Sequence, residues 1–171
     1  MPKWTGGWMN TFTFKGFRVF TQVDFKAGYV LYSNTNFNAT REGLHKQSLP
    51  GRENGVVMEG FNVDGTPNSK AVPAEEYYSS LRGLGAPFIY KGDFVRWRTL
   101  SVGYDLGRIV KKDVFKGLYV SLFVNNVLMI KKYLDNLDPE ATFATDDNFQ
   151  GLEVNTLPTV RSFGINLNVK L

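Results

Sequence analysis

The last eleven residues, RSFGINLNVKL, alternate without a break. Phe163, Ile165, Leu167, Val169 and Leu171 share one parity, while Ser162, Gly164, Asn166, Asn168 and Lys170 share the other. Successive side chains of a strand point to opposite faces, so this segment reads as a strand with one apolar and one polar face. The same period recurs upstream. In FRVFTQVDFKAGYVLY, the residues Phe17, Val19, Thr21, Val23, Phe25, Ala27, Tyr29 and Leu31 form a largely apolar face, opposite Arg18, Gln22, Asp24 and Lys26, with Phe20 among them. WTGGWMNTFTF precedes it as another strand, with Trp8, Phe12 and Phe14 on one face and Asn10 interrupting them. Lys15-Gly16 reads as the tight turn between the two.

GDFVRWRTLSVGYDL is a third strand. Leu100, Val102, Tyr104 and Leu106 oppose Thr99, Ser101, Gly103 and Asp105, but Arg96 and Arg98 fall on the apolar parity. GLYVSLFVNNVLM is a fourth, with Leu118, Val120, Leu122 and Val124 opposite Tyr119, Ser121, Phe123 and Asn125. The connections alternate strictly between short and long. Roughly sixty residues separate the second and third strands and roughly thirty the fourth and fifth, lengths that compact domains seldom use without a function for them. Long loops at one end and short turns at the other, on long strands with a polar second face, is the pattern of a transmembrane β-barrel. A soluble β-barrel or sandwich that binds a small ligand also alternates, and on pattern alone both readings stand.

Composition narrows the chemistry. There is no cysteine, and His45 is the only histidine. Thiolate zinc sites, cysteine nucleophiles, disulfides and histidine metal clusters are therefore excluded. A net charge of +4 without blocks of like charge does not demand nucleic acid. KGDFVRW echoes an RNA-recognition strand, but the several aromatics on one face that such a strand needs are not there.

The ordered landmarks resemble the SusC/RagA-type TonB-linked outer-membrane transporters. Phe94-Val95-Arg96-Trp97-Arg98 runs into Leu100-Ser101-Val102-Gly103-Tyr104, as in that family's penultimate region. Asn126-Val127-Leu128, Lys132-Tyr133, Asp138-Pro139-Glu140, Leu157-Pro158 and Arg161-Ser162 follow in the family's order. PKWTGGWMNTFTFKGFRVFTQVDFKAG and GRENGVVMEGFNVDGTPNSKAV are similar to its earlier strands and its glycine-rich outer loop. One departure is the final residue, Leu171, where such barrels usually end in an aromatic.

The resemblance implies an all-β fold. About five long antiparallel strands would form the C-terminal segment, residues 1–171, of a large barrel of the 22-stranded type, without its plug or TonB box. It implies the wall and outer loops of a TonB-dependent importer of a glycan or peptide, in the outer membrane of a Gram-negative bacterium. It implies no catalysis and no cofactor. The expected partners are the remaining strands and plug, a SusD-like lipoprotein, TonB through the missing N-terminal part, lipid and lipopolysaccharide, and no nucleic acid. Phe163, Ile165, Leu167, Val169 and Leu171 would face lipid. Phe37, Phe61, Tyr77, Tyr78, Phe143 and Phe149 in the long loops would touch substrate or a lid, or else anchor their own loops. Asp135, Asp138, Glu140, Asp146 and Asp147 read as solvated loop carboxylates rather than as a calcium site. Glu75-Glu76 reads as part of a strand or extended loop, its carboxylates pointing apart.

Overall fold

The computed structural model describes residues 1–81, 83–108, 117–141 and 151–170. Five long strands follow one another as an antiparallel meander: β1 (Trp4–Phe14), β2 (Phe17–Ala27), β3 (Phe94–Asp105), β4 (Gly117–Lys132) and β5 (Ser162–Lys170). β1 and β2 meet at Lys15-Gly16, whose φ angles of +46° and +91° lie in the left-handed region that two-residue hairpin turns require. Glycine at the second position meets that requirement without strain.

Register turns five alternating sequences into one two-sided sheet. Phe12, Val19, Val102, Leu122 and Ile165 lie side by side across all five strands. The next row is Phe14, Phe17, Tyr104, Val120 and Leu167, with the Phe17 and Tyr104 rings 4.6 Å apart. None of this face is covered: Phe163 is 74 % exposed and Phe14 69 %. The opposite face carries Thr13, Arg18, Gly103, Ser121 and Asn166 in one row, and Thr11, Phe20, Ser101, Phe123 and Gly164 in another. On this side aromatic rings lie over glycines. The Tyr119 phenol occupies the space a Cβ on Gly103 would need, and the Phe123 ring does the same above Gly164. Arg18 sits 5.3 Å from the Tyr119 ring centre.

The irregular parity of β3 has a local cause. Gln22 pairs with Thr99 but Val23 pairs with Trp97, so Arg98 is an extra residue in β3. On the other side, Trp97 pairs with Leu128 and Thr99 with Asn125, so β4 also takes an extra residue there. Asn126 absorbs it with a φ of +52°, a conformation asparagine tolerates better than most residues. This bulge switches parity. Val95 and Trp97 continue the apolar face opposite Phe25 and Val23, and Arg96 and Arg98 both turn to the polar one.

One expectation about length is corrected. The second strand does not run on to Leu31, because Gly28 turns the chain with a φ of +77° and donates its N–H to Asp93 Oδ1 at 2.7 Å. The long connection after it is not structureless. It holds helix α1 (Asn34–Arg41), a hairpin of Val56–Val57 with Ala71–Val72, and helix α2 (Ala74–Ser80). The described residues group into a sheet unit of residues 1–31, 90–108, 117–141 and 157–170, and a loop unit of residues 32–81, 83–89 and 151–156.

Gly103→Ala should overpack the polar face. The expected loss of unfolding free energy is about 1–3 kcal/mol. Combined with Tyr119→Ala, the losses should not add, because the second change empties the space the first one needs. Urea unfolding of the unaltered protein and the three variants in detergent measures this.

Candidate functional site

In the sheet unit, the two arginines turned inward by the bulge meet a carboxylate cluster. Arg96 is 3 % exposed. Its Nη2 lies 2.5 Å from Asp138 Oδ1 and its Nη1 3.0 Å from Glu140 Oε2, and Nη1 also donates to Thr159 Oγ1. Arg98 Nη2 lies 2.5 Å from Asp24 Oδ2 and 2.9 Å from Glu140 Oε1. Asn126 Oδ1 accepts from Arg98 Nη1 at 3.2 Å, and its amide donates to the Val160 carbonyl at 2.8 Å. Thr159 donates to Asp138 Oδ2 from both its N–H, at 3.1 Å, and its hydroxyl, at 2.5 Å. One network thus ties β2, β3, β4, the 138–140 segment and the approach to β5.

This corrects the reading of Asp138 and Glu140 as solvated charges. Both are held against arginines, and the Asp138 side chain is only 7 % exposed. Pro139 between them is fully buried, and its carbonyl accepts from the Tyr29 hydroxyl at 3.2 Å. Burial pushes the Tyr29 phenol well above its ordinary pKa, with the Glu140 and Asp93 carboxylates adding to the effect. Asp146 and Asp147 lie outside the described residues. No group of three His, Asp or Glu side chains placed to hold a metal ion occurs among the described residues.

The loop unit is organised by a second carboxylate. Glu153 is buried and has no ion pair among the described residues. It accepts instead from Ser33 Oγ and Thr35 Oγ1, each at 2.6 Å, and from the Thr35 N–H at 3.3 Å. Ser33 in turn accepts from the Asn36 N–H at 3.0 Å and caps α1. The carboxylate therefore lies at a helix N-terminus, where unpaired N–H groups favour negative charge. Residues Tyr32 and Ser33 run parallel to Leu152 and Glu153 and fix this arrangement.

The loop aromatics separate into different environments. Tyr78 is buried and donates its hydroxyl to the Pro50 carbonyl at 3.1 Å. Tyr77 lies edge-on to it at 5.0 Å between ring centres. Phe37 is half-buried, edge-on to Phe88 at 5.3 Å. Phe61 stands 77 % exposed. Phe143, Phe149 and Leu171 lie outside the described residues. Glu75 and Glu76 are in the first turn of α2, not in an extended segment. Their charge suits that position, and Pro73-Ala74-Glu75-Glu76 is a helix-start signal legible in the sequence.

Burial pushes the Asp138 carboxyl up, and hydrogen bonds from Arg96 and Thr159 outweigh that and hold it below the usual carboxylate range. A folded pKa below the unfolded one means that the stabilisation is complete above the unfolded value of about 3.9. It is lost as pH falls below that value and through the folded pKa. Asp138→Asn should cost about 3–5 kcal/mol, as breaking a buried pair does, and should flatten the acid limb of the stability profile. Arg96→Met with Asp138→Leu should cost less than the sum of the two single changes, because the second removes the carboxylate that the first leaves unpaired, while Glu140 keeps Arg98. Urea midpoints between pH 3 and 7 decide both.

Comparison with known proteins places this architecture. No family model matches the chain. The TonB-dependent receptor P3 of Formosa agariphila is 32% identical over 89 residues, a match that covers 48% of this chain and 9% of that receptor. The RagAB peptide importer in its open-open state superposes with a TM-score of 0.60 at 17% identity, over 100% of this chain and 17% of that one. The closed-closed state gives 0.61 at 20% identity, over 98% of this chain and 17% of the other. The chain therefore spans under a fifth of the relatives it matches, and at these identities the structural likeness is one of fold. The meander of five two-faced strands with elaborated long loops has the fold of a stretch of the RagAB importer's barrel, and about half of the chain is similar in sequence to a TonB-dependent receptor.

Proposed function

We propose that the chain forms part of the wall and outer loops of an outer-membrane importer. That importer would take up an oligomeric nutrient, a peptide or a glycan, with energy delivered through TonB, and would work with a SusD-like surface lipoprotein. The observation that carries the reading is the exposed apolar face, continuous across five registered strands, backed by a polar face. Water disfavours so much contiguous apolar surface. Lipid accepts it, provided every backbone group is hydrogen-bonded within a closed sheet. Phe163, Ile165, Leu167 and Val169 then face lipid, and Asn166 and Asn168 face the interior. The outer edges of β1 and β5 are paired by strands of the same barrel beyond this stretch.

Orientation follows from loop length. The connections 28–93 and 133–161 lie outside the cell, and the Lys15-Gly16 turn lies in the periplasm. Phe37, Phe61 and Tyr77 belong to the outer side under this reading. Phe61, as the most exposed of them, is the side chain placed to meet a lid or a ligand.

Leu167→Arg should impair assembly far more than Asn166→Arg. An arginine on the lipid face costs about 2–4 kcal/mol at the membrane midplane, and a lumen position costs little. Heat-modifiable mobility of the two variants in outer-membrane fractions reports this, and equal behaviour would refute the assignment of faces. Cysteine placed at Leu44 should react with a membrane-impermeant maleimide on intact cells, and cysteine at Lys15 should react only after lysis. The reverse labelling would invert the orientation.

A further inference from the structure

A further bulge lies at the end of the sheet remote from the Lys15-Gly16 turn. Val95 pairs with Lys131 and Arg96 with Met129, so Ile130 is an extra residue in β4. Unbroken alternation would put Lys131 on the polar face with Met129 and Arg96. The bulge turns it to the apolar face, in one row with Gly6, Phe25 and Val95. The adjacent row, nearer the Lys15-Gly16 turn, is Trp8, Val23, Trp97 and Leu128. Tryptophan favours the boundary between membrane and water. Phe17, in the row at the other end of the apolar face, is eight residues from Phe25 along β2. That is about 26 Å along the strand at ~3.3 Å per residue. At a barrel's tilt of ~40° it is about 20 Å along the membrane normal, close to the ~25 Å height of the apolar band. Lys131 therefore stands at the outer limit of the band, on its lipid side.

Two further side chains meet Lys131 there. Its ammonium lies 5.4 Å from the centre of the Tyr133 ring, and that of Lys91 lies 4.3 Å from the same ring. Tyr133 is exposed. Lys131, and then Lys91, hold its phenol below the usual tyrosine range. Asp93 Oδ2 offsets Lys91 at 3.0 Å, while its Oδ1 accepts from the Gly28 and Tyr29 N–H groups. Lys131 has no carboxylate partner among the described residues.

An ammonium turned toward hydrocarbon, at the level where hydrocarbon ends, selects its ligand by position. Acyl chains offer the charge nothing. Water would solvate it as well on the polar face, where plain alternation already places it. A phosphate on a lipid headgroup lies at the right level with the opposite charge, and lysine binds phosphate as a point charge. The exposed Tyr133 ring suits the same boundary. Leu128 and Ile130, both exposed, leave apolar surface nearby for an acyl chain. We propose that Lys131, with Lys91 and Tyr133, binds the phosphorylated headgroup of an outer-leaflet lipid. The proposal rests on the reading of the chain as outer-membrane barrel wall and adds which lipid its outer rim selects.

The test uses the assembled protein purified from outer membranes in detergent. Native mass spectrometry counts the lipid retained from added monophosphoryl lipid A, and from the same lipid after its phosphate has been removed. The phosphorylated lipid should be retained and the dephosphorylated one lost, a comparison that needs no variant. Lys131→Gln should lower retention about fivefold, equivalent to roughly 1 kcal/mol, which is what one lysine contributes near an anionic surface. Lys91→Gln should lower it less, because Asp93 already offsets that charge. Lys131→Arg should preserve it, and Lys15→Gln, at the opposite end of the strands, should leave it unchanged. Lys131 is exposed, so its variants should assemble, and heat-modifiable mobility checks that they do. Equal retention of the two lipids, or indifference to Lys131→Gln in an assembled barrel, would overturn the proposal. Displacement of the lipid by excess inorganic phosphate would also overturn it, by marking a site for the free ion. Membrane fractionation tests the barrel reading separately. Lipid retention indifferent to phosphate, on a protein still found in the outer membrane, counts against the rim site alone.

Discussion

A one-residue slip between any two neighbouring strands would carry the whole apolar set of one of them to the polar face. Three devices hold the five long strands against such slips. The Lys15-Gly16 turn fixes β1 against β2, since a two-residue loop of that geometry permits one register. The aromatic rings over Gly103 and Gly164 interlock β3 with β4 and β4 with β5, because a shifted strand would bring a Cβ into the space the ring fills. The bulges at Arg98 and Asn126 change the count on both sides of β3 at one level. Each device is local, yet together they produce rows such as Phe12, Val19, Val102, Leu122 and Ile165 that no single strand defines.

How much of this was legible in the sequence follows from what each feature depends on. Alternation is a property of one strand, so all five long strands and the tight turn could be read directly, with ends displaced by a few residues. A bulge is a property of a pair. Arg96 and Arg98 looked misplaced on the apolar parity because the extra residue that turns them inward exists only relative to β2 and β4. Gly28 carried a usable signal, since glycine is the residue that adopts a positive φ freely, but the unbroken alternation through Tyr29 and Leu31 concealed it. The helices of the long connection are short, and neither presents a long periodic stripe. The local evidence for them was Ser33, which caps α1, and the run Pro73-Ala74-Glu75-Glu76 that opens α2.

The landmarks that carried the family resemblance lie far apart in sequence: Phe94 and Arg96, Asn126, Asp138-Pro139-Glu140, and the stretch before Ser162. The fold brings them into one network within the sheet unit. Their spacing gave no hint of contact, because the separations follow loop length rather than distance. A carboxylate in a loop is usually solvated, and Asp138 departs from that rule because two inward arginines within the sheet require counter-charge. The arginines were the available clue: a cation on an apparently apolar parity must either be misplaced or have a partner elsewhere.

Such a network is a poor way to gain stability, since desolvating Arg96 and Asp138 offsets much of their attraction and an apolar pair of similar volume would serve as well. What it supplies is position. An apolar contact tolerates sliding, whereas Asp138 must place one oxygen on Arg96 and the other on the Thr159 N–H and hydroxyl at the same time. Glu140 is similarly divided between Arg96 and Arg98. Only one placement of the 138–140 segment meets all of these demands. The segment that follows β4 is thereby pinned to the residues that lead into β5, and the last strand enters the sheet at a level set by charge rather than by loop length. In a barrel wall that level determines whether Ile165 and Leu167 align with Leu122 and Val120, which is the alignment observed.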